Sequence, residues 1–129
     1  MSNDIQISSL GGGLISNMKN GQLDLPFAND IYLYTLSVAG IFYYIDEGLQ
    51  IVEGDALTLK REPDNEYDKY AIEVYTKDGE KLGYIPRKNN KIFARLMDGG
   101  KYLYGKIKCF ETDFDEIRNI VIRIYLKDI

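Results

Sequence analysis

The sequence has 129 residues, of which 45% are hydrophobic, with one cysteine, no histidine and a formal net charge of −4. That length fits one domain able to bury its own core, and a lone cysteine fits a reducing compartment, so a cytoplasmic location is expected. Without histidine a Ser-His-Asp or Cys-His nucleophilic site cannot be built, and a zinc site would rest almost wholly on carboxylates; no metal and no cofactor are expected.

Residues 1–30 carry Gly11-Gly12-Gly13, several asparagines and Pro26 between short apolar pieces. This pattern predicts an irregular arm with at most one helical turn near Leu14 to Met18. The opening MSNDIQISS has neither a basic nor an apolar signal region, and secretion is not expected. From Ile31 the run IYLYTLSVAGIFYYI is rich in β-branched and aromatic residues. It predicts a strand, interrupted or bulged near Gly40, and it is shorter than the roughly 20 residues that span a bilayer.

In ALTLKRE, Leu57, Leu59 and Arg61 alternate with Ala56, Thr58 and Lys60, the pattern of a strand running into a turn. The turn, Arg61-Glu-Pro-Asp-Asn-Glu-Tyr67-Asp68, gathers charge around one tyrosine. AIEVYTKDGEKLGYI then reads as strand, Asp78-Gly79 hairpin and strand, the Asp-Gly pair tolerating positive φ. In RKNNKIFARLMDGG the period changes to that of a helix over about 88–98. Ile92, Phe93, Leu96 and Met97 are expected to face the sheet, with Asn89 or Asn90 as cap and Gly99 as a left-handed stop. KYLYGKIKCF and NIVIRIYLKD complete the set, the second with Ile120, Ile122, Ile124 and Leu126 on a buried face. The sum is a mainly β (α+β) domain, a small, partly open barrel of the OB or SH3 kind with one or two short helices, over residues 31–129.

Charge is unevenly spread along these elements. Residues 60–108 hold twelve basic and eight acidic side chains, whereas residues 1–59 hold one basic and seven acidic. A strip of Arg87, Lys88, Lys91, Arg95 and Lys101 suits a phosphate backbone, although such a strip also serves simply to solvate a helix.

Three strings, Val38 to Tyr44, Arg61 to Ile72 (REPDNEYDKYAI) and Lys81 to Arg87 (KLGYIPR), together resemble the HIRAN domain, and the chain is similar to small stand-alone bacterial HIRAN proteins. The resemblance covers about Tyr32 to Phe110. It implies an OB-like barrel that binds the 3′ end of single-stranded DNA, in DNA repair or at stalled forks, with a helicase or other repair enzyme as a protein partner and no membrane role. The matching positions make Tyr43 and Tyr67 base-stacking residues and Arg87 a phosphate-binding group; Asp68, a carboxylate beside them, is the candidate acceptor of the terminal 3′-hydroxyl, and Lys88 and Lys91 of the basic strip are expected to bind DNA with Arg87. Departures from the family pattern are Glu66 for a proline, Tyr70 for an asparagine, and Phe42 at a position basic in eukaryotic relatives. No GxxxxGK[ST] phosphate loop is present, and a non-catalytic module is expected.

Plainer roles stand beside these. Asp64 and Asn65 are expected to shape the turn through side-chain-to-backbone hydrogen bonds, and Arg61 could pair with Asp68 across its base. Tyr44, Tyr70 and Tyr84 suit packing, and Cys109 an inert core thiol. Two other functions compete with end recognition. One is a protein-interaction module using the same aromatic rim. The other is a metal-dependent hydrolase of nucleic acid or acid anhydrides built on Asp64, Glu66 and Asp68.

Overall fold

The computed structural model describes residues 29–128. The expected arm at 1–30 therefore lies outside the described residues except for its last two. Six strands and two helices follow in order: β1 (Ile31–Ser37), α1 (Ile41–Tyr44), β2 (Ala56–Arg61), β3 (Ile72–Thr76), β4 (Lys81–Tyr84), α2 (Arg87–Asp98), β5 (Leu103–Asp113) and β6 (Glu116–Leu126). They form one antiparallel sheet in the order β1-β6-β5-β2-β3-β4.

The sheet curls into a half-barrel because its two edges meet. Beyond β1, Ala39 N–H donates to the Tyr84 carbonyl at 2.8 Å and Tyr84 N–H returns a bond to Ala39 at 2.9 Å, a single bridge joining β1 to β4. The interior is aliphatic. Ile72, Val74, Leu82, Ile120, Ile122 and Ile124 are fully buried, each contributing roughly 1.5–3 kcal/mol relative to exposure. Alternation along β2 and β6 places these faces inward as the sequence pattern predicts.

Several local expectations are refined or corrected. The expected interruption of the first apolar run near Gly40 is present, but the run does not resume as strand beyond it. That glycine takes the left-handed conformation (φ 80°), reverses the chain and starts the one-turn helix α1, which buries Ile41. In the turn of the β3–β4 hairpin only Gly79 has positive φ (89°). Its N–H and that of Glu80 bond back to Thr76, a three-residue loop ending in a left-handed glycine.

In α2 the inward face is Asn90, Phe93 and Ala94, with Leu96 and Met97 half-buried, while Ile92 points outward and is 64% exposed. Neither Asn89 nor Asn90 caps the helix: Pro86 precedes its first turn, where a missing N–H costs nothing. The stop is a Schellman arrangement, Gly100 N–H to Met97 and Lys101 N–H to Leu96. Gly100 (φ 96°) is its left-handed residue, and Gly99 is not. Finally, β5 and β6 are longer than the pattern suggested and join through Phe114-Asp115, both at positive φ (52° and 65°), a tight turn without the usual asparagine or glycine.

Candidate nucleic-acid interface

The loop between β2 and β3 is built from its own side chains. Asn65 Oδ1 accepts the N–H groups of Tyr67 (2.8 Å) and Asp68 (3.0 Å), and Asn65 Nδ2 donates to Glu62 Oε1 at 2.7 Å. Asp64 is exposed, and its side chain makes none of the loop's described hydrogen bonds; of these two expected turn-shaping residues, Asn65 does that work. Tyr67 is left 83% exposed at the apex.

Arg61 closes the base of the loop, without Asp68. Its guanidinium donates to the carbonyls of Ala71 (2.6 Å) and Lys69 (2.9 Å), and forks onto both oxygens of Asp98 at the end of α2 (2.9 and 3.2 Å). The hydrogen bond from Arg61 holds the Asp98 carboxyl below its ordinary range.

Asp68 turns instead toward the start of α2. Oδ1 accepts Tyr70 N–H at 2.9 Å, Oδ2 accepts Asn90 Nδ2 at 2.7 Å, and Arg87 Nε lies 3.6 Å from the same oxygen. The carboxylate is thus oriented by two donors while the Arg87 side chain stays 75% exposed. Asn90 is itself only 2% exposed, so its amide is satisfied by Asp68. It was not anticipated as a site residue. A polar residue in phase with Phe93, Ala94 and Met97 on the buried face of the helix is the signal that could have found it.

A second network connects α1 to the loop. Tyr44 packs edge-on against Tyr84, with ring centroids 5.7 Å apart, and Lys81 Nζ lies 4.3 Å from both ring centres. Tyr84 Oη donates to Glu62 Oε1 at 2.7 Å, the oxygen that also holds Asn65. Lys81 continues the chain to Tyr84 Oη (3.0 Å) and Glu73 (3.0 Å). Burial, then the bond to Glu62, pushes the Tyr84 hydroxyl up to about 12; the bonds of Asn65 and Tyr84 hold Glu62 below the usual carboxylate range. Tyr44 and Tyr84 therefore pack, and they fix α1 so that Tyr43, 87% exposed, projects from it.

The structure thus brings Asp68, Arg87 and Asn90 together and ties the loops of Tyr67 and Tyr43 to a shared network. Lys88 and Lys91 follow Arg87 along α2, Lys91 standing 5.7 Å from the ring centre of Tyr70. Lys101 lies past the other end of the helix, separated from Arg87 by about 18 Å of helix. Among the described residues no three or more Asp, Glu, Cys or His side chains form a group able to hold a metal, so Asp64, Glu66 and Asp68 do not combine in that way. No helix among them is long and apolar enough to cross a membrane.

Comparison with known proteins decides the family, because the chain matches the HIRAN domain over residues 31–127. The chain belongs to the HIRAN domain family. A protein of Lactobacillus plantarum, known from a crystal structure, shares 33% identity and a TM-score of 0.65 with this HIRAN domain, over 75% of this chain and 94% of that one. The crystallised HIRAN domain of human HLTF shares 22% identity and a TM-score of 0.57, over 77% and 81% of the two chains. The HLTF domain in its DNA-bound conformation gives 20% and 0.50, over 79% and 83%. At these identities the HLTF structures establish the common fold. The Fanconi-associated nuclease 1 homolog of Oryza sativa subsp. japonica is 35% identical over 74 residues, which are 55% of this chain and 7% of the rice protein.

Proposed function

We propose that this HIRAN domain is a non-catalytic module that binds the 3′ end of single-stranded DNA, at damaged or stalled replication structures. The observation that carries the reading is the placement of the Asp68 carboxylate 3.6 Å from the exposed Arg87 guanidinium, beside the exposed Tyr67. The DNA-bound state of the HLTF domain supports it as a relative of the same fold.

Each group has a chemical task. Asp68 accepts one hydrogen bond at each oxygen in the described structure, and carboxylate oxygens have further lone pairs, so it can accept a terminal 3′-hydroxyl. A phosphate in that position would meet like charge. Arg87 offers a planar fork to the neighbouring backbone phosphate. Tyr43 and Tyr67 offer faces to bases at about 1–3 kcal/mol each, whatever the sequence.

Two variants separate these tasks. Asp68→Asn keeps a hydrogen-bonding side chain but removes the charge, and it is expected to narrow the difference between 3′-hydroxyl and 3′-phosphate oligonucleotides. Tyr67→Ala is expected to weaken both by about 1–3 kcal/mol, because stacking does not sense the terminus. Fluorescence anisotropy on matched oligonucleotides reads both, and equal losses for the two ends in Asp68→Asn would contradict the assignment.

A further inference from the structure

End recognition uses the loop and the first residues of α2 but leaves the outer face of that helix unexplained. Lys88, Lys91, Ile92 and Arg95 fall at i, i+3, i+4 and i+7, a single stripe. With Tyr34 of β1 and Leu96 they line an open trough of about 710 Å³. Two of its apolar side chains are open to solvent: Ile92 is 64% exposed and Tyr34 45%. No carboxylate lines it, and among the described residues Lys88, Lys91 and Arg95 form no ion pair, whereas Asp98 at the far end is held by Arg61. Cations without counter-charge beside a half-exposed ring and an exposed aliphatic surface match a nucleic-acid strand, whose phosphates and bases are charged and flat in alternation.

We propose that this trough carries the single strand on the 5′ side of its bound end. The inference rests on the 3′-end reading above. The strand leaves Arg87 and follows α2 toward Arg95, with phosphates against Lys88, Lys91 and Arg95 and a base against Tyr34 and Ile92. From Arg87 to Arg95 the helix advances about 12 Å. That is room for roughly two or three nucleotides beyond the terminal pair, a total site of about four or five, near the lower limit for an OB fold. The polarity is fixed: 3′ at the start of α2 and 5′ toward its end.

The test is a length series of oligothymidylates with a 3′-hydroxyl, from two to eight nucleotides, measured by anisotropy on the parent and on the double variant Ile92→Ser/Arg95→Glu. Both side chains are exposed, and a matching circular-dichroism spectrum checks that the variant folds. Parent affinity is expected to rise to four or five nucleotides and then level. The variant is expected to bind the dinucleotide within about twofold of the parent but to lose about tenfold or more on the hexamer, with a shallower salt dependence. A parent curve already level at two or three nucleotides overturns the proposal, as does a variant that loses equally on short and long strands. The two readings fail separately. A preference for 3′-hydroxyl over 3′-phosphate on the dinucleotide upholds the Asp68 site even with a flat length series, and a length dependence without end preference upholds the trough alone.

Discussion

Arg61 shows how much one side chain can specify. Its 13%-exposed guanidinium grips two carbonyls of the β2–β3 loop and forks onto Asp98, so loop, strand and the end of α2 share one clamp. Lysine cannot reproduce that fork. Arg61→Lys is therefore expected to cost about 2–3 kcal/mol, since more than one charge-assisted bond is lost, and urea unfolding would read it as a lower midpoint with an unchanged slope. The sequence places Arg61 next to a turn that needs an anchor, which is why an Arg61–Asp68 pair was a reasonable expectation. Its true partner is 37 residues away, and no local spacing rule reveals such a contact. Asn65 was legible because asparagine bonds backbone two and three residues on by strictly local geometry.

Among the elements, β4 depends most sharply on one residue. A Cβ added to Gly83 would overlap the Ala39 carbonyl oxygen and stand 3.0 Å from Val38 Cγ1, where the sheet's two edges join. Gly83→Ala is expected to open that bridge and cost about 3 kcal/mol or more, visible as a lower thermal midpoint and faster exchange of the Tyr84 and Ala39 amides. Periodicity located β2, β6 and α2 because each has one buried face. It misassigned Ile92 because 92, 93 and 96 fall within one apolar arc, while the face actually buried is Asn90, Phe93 and Ala94, with the polar Asn90 held there by Asp68. It missed the β5–β6 turn because Phe114, a bulky residue rarely found at positive φ, takes the first turn position, and the turn lacks the usual glycine or asparagine.

On the scale of the whole molecule, the network from Tyr44 to Asn65 couples stability to pH. Asn65, then Tyr84, hydrogen-bonds Glu62 and lowers its folded-state pKa below the ordinary 4.5; Asp98 and Asp30 are lowered similarly by Arg61 and Tyr104. In this window the unfolded chain binds more protons than the folded one. The stabilisation is fully present above about pH 5, and is lost as pH falls from about 4.5 through the lowered folded values. Glu62→Gln is expected to flatten stability against pH in that range, and chemical denaturation from pH 3 to pH 6 would show a parallel offset if Glu62 had no part in it.

The same network ties Tyr43 and Tyr67 to the sheet, and Asn90 and Arg87 hold Asp68, so the proposed end-recognition site is a property of the assembled barrel. The most direct test of it is fluorescence anisotropy of the parent protein, at low salt, with two oligonucleotides identical except for a 3′-hydroxyl or a 3′-phosphate. The hydroxyl end is expected to bind more tightly, by about 1–3 kcal/mol. Equal binding of the two ends, or binding of neither, would contradict the account and leave Asp68 as a tether between the loop and α2.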